Sequence, residues 1–241
     1  MCLIVLSYQP TADFPLVVAA NRDEFYARPS APLSWWHDEP TILAGRDLKE
    51  GGTWMGVTIQ GSFAAVTNFR TAEDVNLLSL SAKHLSRGAL VRDFLQSGNT
   101  LEFSKYLVAN ATRYKGFNLF FGNINHLYYF SNHSQKGVEE LTPGVYGLSN
   151  HLLNTPWYKV TQAKKMFQQT DPSDSEAVFS LLKNDTPAPD DQVQQTGFPF
   201  VMEKMLSSIF IKAPGYGTRV SSHLCLSKNE IRFAERTYSP T

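Results

Sequence analysis

The sequence has little cysteine and no excess of charge of either sign, and both shortages narrow the possible classes of protein. Among its 241 residues only Cys2 and Cys225 are cysteines. Two cysteines do not make a disulfide framework, so we expect a reducing compartment and a cytoplasmic protein. Basic and acidic residues balance at 22 each. This balance gives neither a basic surface for nucleic acid nor an attraction to anionic membranes, and we expect no nucleic-acid partner.

Long apolar runs and cofactor motifs are also missing. No apolar run reaches the roughly 18 residues that span a bilayer. The first apolar run is short and has no basic region ahead of it, so we expect no signal peptide. The six histidines show no zinc-ligand spacing. Gly215 and Gly217 are too close together, and too close to a predicted strand, to form a phosphate-binding loop. We therefore expect no membrane span, no metal and no cofactor.

The most informative stretch is at the start of the chain. Two short apolar runs, residues 1–6 and 16–20, flank a polar break and predict a β-hairpin. The second run is closed by the polar tetrad Asn21-Arg22-Asp23-Glu24. A residue as small as cysteine permits removal of Met1, after which Cys2 would carry both a thiol and a free α-amine. An α-amine titrates near pH 8 and can serve as the base for the adjacent thiol.

These residues have an ordinary interpretation as well as a catalytic one. Free cysteine is among the most buried residue types, so Cys2 would then be a small core residue. The tetrad would be a solvated turn with an internal ion pair. In the catalytic interpretation, Arg22 holds a substrate carboxylate or the α-amine region, and Asp23 orients the amine.

The rest of the chain predicts runs of strands separated by pairs of helices. Strands are predicted at residues 54–59, 62–67, 117–121, 126–131, 145–149, 218–226 and 231–237. Helices are predicted from residue 85 to a stop at Gly98, from caps at Thr100 and Thr155, and over residues 174–182. Segregated runs of this kind predict an α+β fold with antiparallel sheets covered by helices. One domain over residues 1–241 is expected, because the segment after the proline-containing loop 186–200 is too short to fold alone.

Three further side chains suit acyl transfer, which needs a hydrogen-bond donor for the oxyanion at a strand end. Asn68 and Asn150 each follow a predicted strand, and Arg219 begins one after a glycine-flanked turn. Each has an ordinary alternative, an Asx turn for the asparagines and a structural ion pair for Arg219.

Residues 25–40 contain Trp35, Trp36 and three prolines, and predict an extended loop. Ligand sites are mostly apolar with few polar anchors. We therefore predict that Trp35 or Trp36 borders the cleft that contains Cys2. The alternative is that the loop only covers the core.

Taken together, the motifs resemble the NRDE-motif family, also called the transport and Golgi organisation protein 2 family. The resemblance covers essentially the whole chain. It rests on Met1-Cys2, the Asn-Arg-Asp-Glu tetrad, Gly-Gly-Thr-Trp-Met-Gly at 51–56, Val-Thr-Asn-Phe-Arg at 66–70, Leu-Ser-Asn at 148–150 before Pro156-Trp157, and Tyr-Gly-Thr-Arg at 216–219. The same skeleton is similar to the N-terminal nucleophile hydrolases, in particular the branch with bile salt hydrolase and penicillin V acylase.

The resemblance implies a four-layer αββα sandwich and a set of site residues. By resemblance Cys2 is the nucleophile, Arg22 and Asp23 are its neighbours, Asn68 is the oxyanion donor, Asn150 orients the α-amine, and Arg219 tunes the thiolate. The tetrad order differs from the Arg-Asn-x-Asp of the hydrolase branch, and Glu24 has no counterpart there.

The leading functional hypothesis is a cysteine hydrolase or acyl-transfer enzyme that acts on a C–N or thioester bond of a small molecule. Two alternatives stay open. One is a non-enzymatic member of the family that binds a hydrophobic ligand such as haem, acyl-CoA or another lipid. The other is a trafficking-related interaction protein that keeps only the scaffold. The intact set Cys2, Asn68, Asn150 and Arg219 favours the enzyme.

Overall fold

The structure, a computed structural model, describes residues 2–71 and 84–238, which form thirteen β-strands and five α-helices. The strands are β1 (Cys2–Tyr8), β2 (Leu16–Phe25), β3 (Ser30–Trp35), β4 (Ile42–Asp47), β5 (Met55–Thr58), β6 (Phe63–Asn68), β7 (Phe117–Gly122), β8 (Leu127–Ser131), β9 (Glu139–Glu140), β10 (Gly144–Leu148), β11 (Lys212–Ala213), β12 (Tyr216–Leu226) and β13 (Ile231–Thr237). The helices are α1 (Arg87–Ser97), α2 (Thr100–Asn110), α3 (Tyr158–Gln168), α4 (Ser175–Leu182) and α5 (Phe200–Met205).

The strands form two antiparallel sheets. The first sheet has the order β10-β1-β2-β12, and β12 also pairs with β11 and β13. The second sheet runs β3-β4-β5-β6-β7-β8-β9 in chain order. The first strand of the chain therefore lies inside its sheet, between β2 and a strand that comes more than a hundred residues later.

Three apolar cores show how the layers stack. Side chains alternate along β1, so that Ile4 and Leu6 pack between the two sheets, whereas Leu3 and Val5 pack against α3 and α4. On the far side, the second sheet packs against α1 and α2 through a third core rich in phenylalanine. The order helix, sheet, sheet, helix confirms the αββα sandwich and the α+β class.

The tetrad is the last part of the strand β2. It does not form a turn after the second strand, because β2 continues through it to Phe25. Residues within a strand point alternately to opposite faces. Asn21 accordingly donates through Nδ2 to the carbonyls of Leu182 and Ile209 in the helical layer, at 2.8 and 2.9 Å. Arg22 faces the other way.

Other element boundaries also differ from prediction. Residues 25–40 contain the strand β3, and β4 follows without having been predicted. Helix α2 is capped by Asn99, whose side chain accepts from the Glu102 amide at 3.1 Å, and not by Thr100. The helix after Pro156 begins at Tyr158. Among the described residues, no helix is both long and apolar enough to cross a lipid bilayer.

Gly52 is required where the chain passes the first turn of α1. A Cβ built on Gly52 would lie 2.5 Å from the carbonyl carbon and oxygen of Gly88. Both are backbone atoms and cannot swing aside, so we expect Gly52→Ala to push α1 away and to lower the free energy of unfolding by about 2 kcal/mol or more. Urea denaturation measures this. Gly144→Ala is the matched control, because its new methyl would meet only side-chain atoms at 3.5 Å or beyond. Equal stability of the two variants would contradict the prediction.

Candidate active site

A cavity of about 480 Å³ lies where the ends of β1, β2 and β6 meet. Four of the six predicted site residues line it: Cys2, Arg22, Asp23 and Asn68. They come from three strands in two sheets, so the sandwich itself brings them together. The cavity wall also includes Trp54, the Gly88 turn of α1, and Glu235 of β13.

Cys2 and Arg22 lie opposite each other in the β1–β2 ladder. Directly opposed residues share a face of the sheet, with their Cβ atoms about 5 Å apart. The guanidinium of Arg22 is 3.6 Å from the Glu24 carboxylate, while its Nη1 is buried and has no hydrogen-bond partner among the described residues. A buried donor with nothing to bind is costly, and a ligand acceptor in the cavity would satisfy it.

Cys2 is buried, with only 8% of the residue exposed. Burial raises its pKa, and the nearby Asp23 carboxylate raises it further. Arg22 and a hydrogen bond from the Asp23 backbone amide act in the opposite direction but do not overcome burial. Burial favours the neutral thiol, because a charge in a low-dielectric surrounding is poorly solvated.

Asp23 is fixed by β12. Its Oδ1 accepts a 2.6 Å hydrogen bond from the hydroxyl of Thr218, which in turn accepts from the Ile211 amide at 2.9 Å. Burial raises the pKa of the Asp23 carboxyl, and the ammonium of Lys159 opposes this effect. The carboxyl is thus rigidly placed beside Cys2.

Asn68 ends β6 at the cavity wall. Its side-chain amide makes no hydrogen bond within the described residues, so its Nδ2 can serve a ligand oxygen. Asn150 is fully buried and does not line the cavity; its Nδ2 donates to the backbone oxygen of Asn68 at 2.9 Å. The preceding Ser149 hydroxyl donates to the Cys2 carbonyl at 3.0 Å. The Ser149–Asn150 pair therefore ties the strand that carries Cys2 to the strand that carries Asn68.

Arg219 and the two adjacent tryptophans, Trp35 and Trp36, do not line the cavity. Arg219 is the extra residue of a β-bulge between Thr218 and Val220, and its guanidinium donates to the backbone oxygen of Arg28. Trp36 is buried in the core between the second sheet and α1, and Trp35 is 48% exposed. Neither lines the cavity, so the prediction of a tryptophan wall from residues 25–40 was wrong. The tryptophan that does line the cavity is Trp54, which lies outside that segment.

The sequence analysis missed a buried lysine behind Asp23. Lys159, in the first turn of α3, is 1% exposed, and its Nζ has no hydrogen-bond partner among the described residues. The sequence contained a signal that Lys159 is buried. Lys159 precedes Ala163 by four residues and therefore lies on the apolar face of the helix. Nearby, Arg70 and Glu203 form a buried ion pair at 3.1 Å.

Lys159 makes the stability of the fold depend on pH in the alkaline range. Burial lowers the pKa of its ammonium from 10.5 to about 8. Between these values the unfolded chain binds more protons than the folded chain, so the contribution of Lys159 to the free energy of unfolding increases as the pH rises. The shift corresponds to about 3 kcal/mol.

We therefore expect the stability of Lys159→Met, relative to the wild type, to fall as the pH is raised from about 8 to about 10.5. The variant has no ammonium at this position, so it lacks the increase in the free energy of unfolding that Lys159 gives the wild type in this pH range. Urea denaturation of both proteins at the two pH values measures the difference, in which the other titrating groups largely cancel. A difference that does not change with pH would refute the assignment.

The cavity wall is rich in charge. Among the described residues, cationic and anionic side chains are equally frequent in it: Arg22, Arg28, Arg46, Arg87 and Lys115 against Asp23, Glu24, Asp47, Glu50 and Glu235. No group of three or more His, Cys, Asp or Glu side chains within residues 2–71 and 84–238 is arranged to hold a metal ion. The wall is thus suited to a polar molecule.

Comparisons with known proteins agree with this architecture. A family model described as "Transport and Golgi organisation 2" matches residues 1–240. The human "Transport and Golgi organization protein 2 homolog" is 33% identical, with 98% of this chain and 93% of the relative covered. The Drosophila melanogaster "Transport and Golgi organization protein 2" is 27% identical, with 98% of this chain and 92% of the relative covered.

Among solved structures, a Caenorhabditis elegans N-acylethanolamine-hydrolyzing acid amidase ortholog is similar, with a TM-score of 0.51 and 11% identity, over 86% of this chain and 98% of that one. A likeness at this identity concerns the fold, which is of the N-terminal nucleophile hydrolase type.

Proposed function

Because the chain belongs to the Transport and Golgi organisation 2 family and has an N-terminal nucleophile hydrolase fold, we propose that it is a cysteine hydrolase of that kind. It would cleave a C–N bond, or a thioester, in a small polar molecule. The observation that carries the proposal is the meeting of Cys2, Asp23 and Asn68 at the wall of one cavity. These residues come from strands that are remote in the sequence.

In the proposed reaction, removal of Met1 leaves Cys2 with a free α-amine. The amine takes the thiol proton, and the sulfur attacks the carbonyl carbon of the substrate. Nδ2 of Asn68 donates a hydrogen bond to the oxygen that becomes negative. The C–N bond then breaks, the leaving nitrogen takes the proton from the α-amine, and a thioester remains. Water, deprotonated by the same amine, hydrolyses the thioester and restores the thiol.

The charges of the cavity indicate the class of ligand. The unpartnered Nη1 of Arg22 is placed to bind a carboxylate or a second carbonyl of the substrate. A hydrophobic ligand such as haem or a lipid would have to bury charged side chains without compensating them, which is unfavourable. A small acyl or amide substrate with a polar group therefore suits the site better than the hydrophobic ligand of the non-enzymatic alternative. The two reduced cysteines suit a cytoplasmic enzyme.

The test combines intact mass with a substrate screen. Intact mass determines whether Met1 is absent from the purified protein. The processed protein and its Cys2→Ala variant are then incubated with a library of N-acyl amides and thioesters that differ in the charge of the acyl group. Hydrolysis that depends on Cys2, and that favours substrates with a carboxylate, supports the proposal. Retention of Met1 together with stoichiometric binding of haem or acyl-CoA in this cavity would support the binding-protein alternative instead.

A further inference from the structure

A half-buried carboxylate in the cavity wall, that of Glu235 in β13, has no role in the proposed reaction. Its Oε1 accepts a 3.0 Å hydrogen bond from the backbone amide of Leu33 in β3. The pairing of β3 with β4 shifts its register between Ala31 and Ser34, so Leu33 has no partner residue in that ladder. This contact explains why an acceptor lies here. It does not explain the charge, because the amide oxygen of a glutamine would also accept from the Leu33 amide.

The charge of Glu235 is not neutralised by a neighbouring cation. Glu24, by contrast, lies 3.6 Å from Arg22 and 3.8 Å from Arg28. Among the described residues, no basic side chain pairs with the Glu235 carboxylate in this way. Burial raises the pKa of the Glu235 carboxyl, while the Leu33 amide and the charge of Arg22 lower it. A carboxylate that is poorly solvated and unpaired binds an arriving cation well, because it has little hydration left to lose.

Gly45 leaves the second oxygen of Glu235 open to the cavity. A Cβ built on Gly45 would lie 3.6 Å from Oε2 of Glu235. Gly45 lines the cavity, so a side chain at this position would occupy the space beside Oε2. Oε2 makes no hydrogen bond within the described residues. The carboxylate is therefore fixed through one oxygen and presents the other, negatively charged, to a ligand.

The ladder of the first sheet places Arg22 between Cys2 and Glu235. Cys2 pairs with Arg22, and Arg22 pairs with Val220 of β12. Glu235 pairs with Ser222, two residues further along β12. Paired residues, and residues two apart in a strand, share one face of a sheet, so all of these side chains lie on the same face. A buried donor without a partner, Nη1 of Arg22, and an open acceptor, Oε2 of Glu235, thus follow one another outward from Cys2 along the cavity.

We propose that the cavity takes an amide or thioester whose acyl group carries both a carboxylate and an ammonium, the carboxylate bound by Nη1 of Arg22 and the ammonium by Oε2 of Glu235. The simplest group of this kind is an α-amino carboxylate. The assignment rests on the proposed function, which supplies the scissile bond at Cys2 and the carboxylate at Arg22. Glu235 adds the requirement for the ammonium. It determines specificity and does not touch the reacting atoms.

A ligand with only one of the two charges fits the cavity less well. A carboxylate alone would leave Glu235 unpaired and would be repelled by it. An ammonium alone would leave the buried Nη1 of Arg22 without an acceptor. The preference for both charges on one ligand is therefore the property to measure.

Binding to a protein that cannot turn over measures this preference. The processed Cys2→Ala variant is titrated by isothermal calorimetry with L-glutamine, which carries both charges, with glutaramate, which lacks the ammonium, and with γ-aminobutyramide, which lacks the carboxylate. The three amides otherwise share one carbon chain. Homologues that are one methylene longer repeat the comparison at a greater reach.

Glu235→Gln, made in the same background, removes the charge and keeps an acceptor for the Leu33 amide. Glu230→Gln is the matched control, because Glu230 lies just before the same strand, pairs with Arg232 at the surface and does not line the cavity. Circular dichroism verifies that both variants are folded.

We expect L-glutamine or its homologue to bind about tenfold or more tightly than the matched compound without the ammonium. Glu235→Gln should reduce this preference to about twofold or less, and Glu230→Gln should leave it as it was. The proposal is overturned if the zwitterion binds no more tightly than its analogue, if it fails to bind at either length, or if it keeps its preference in Glu235→Gln. The comparison of ligands in the parent protein needs no substitution at Glu235, so a misfolded variant cannot conceal the result.

Failure of this proposal is distinguishable from failure of the proposed function, since the titration requires no hydrolysis. Selective binding of the zwitterion by a protein whose Cys2 cleaves no amide would remove only the hydrolase assignment. Cleavage of anionic amides regardless of an ammonium would remove only the requirement for both charges.

Discussion

Replacement of Cys2 by alanine is expected to abolish hydrolysis of any true substrate, with a loss in kcat of about 10⁴-fold or more. The reason is that the proposed reaction passes through a bond between the sulfur and the substrate carbonyl, and no other side chain at the cavity wall can replace the sulfur at that position. Cys2→Ser should keep the fold and lose activity to a similar degree, because a hydroxyl is a much poorer nucleophile near neutral pH. Steady-state kinetics on a substrate from the screen measures both.

Cys225→Ala is the matched control. Cys225 is fully buried on the opposite face of the first sheet, and burial raises the pKa of its thiol to about 11. It should therefore contribute nothing to turnover and should label far more slowly than Cys2 in the native protein. Full turnover by Cys2→Ala, or equal labelling of the two cysteines, would show that Cys2 is not the nucleophile.

The largest loss of stability is expected from Glu203→Ala. The Glu203 carboxylate is buried, pairs with Arg70 at 3.1 Å and accepts hydrogen bonds from Gln194 Nε2, from both the amide and the hydroxyl of Thr196, and from the Phe198 amide. Removing it takes the carboxylate from a buried guanidinium and removes the acceptor for four other donors. Breaking a buried pair in this way costs about 3 to 5 kcal/mol.

Denaturation by urea, followed by circular dichroism, measures this loss. Glu102→Ala is the control, because Glu102 pairs with Lys105 on the surface of α2 with both side chains 65% exposed. An exposed pair of this kind contributes at most about 0.5 kcal/mol. If Glu203→Ala were no less stable than Glu102→Ala, the network around Glu203 would not hold the structure together.

Local patterns in the sequence predicted those parts of the fold that depend on neighbours in the chain. The hairpin of β1 and β2 and the end of α1 at Gly98 follow from apolar spacing and turn residues, and both are present. The extension of β2 through the tetrad could not be predicted in this way. It depends on pairing with β12, a strand roughly two hundred residues away, which supplies hydrogen bonds to residues that would otherwise favour a turn.

The same distinction, between local sequence patterns and contacts between remote segments, explains which site residues could be predicted. Cys2 was predicted from its place directly after Met1 and Asn68 from a strand end, and the two sheets bring them to one cavity. Arg219 was placed there by resemblance, but the bulge in β12 turns its side chain toward Arg28. Lys159 was missed because a lysine on an apolar helix face usually extends to solvent along its own stem. Here α3 is covered along that side, and only the packing of the whole domain makes this apparent.

The position of β1 inside its sheet has a consequence for the chain while it is being synthesised on the ribosome. The hairpin of β1 and β2 is made first, yet its two outer edges pair only with β10, which begins at Gly144, and β12, which begins at Tyr216. At about 5 to 20 residues per second, a ribosome needs roughly 10 to 40 s to reach β12. Throughout that interval the nascent hairpin exposes unpaired backbone groups on two apolar strands, which is the arrangement that promotes aggregation. Nascent chains stalled between these two strands should therefore be bound by chaperones, and chains released after β12 has emerged should not.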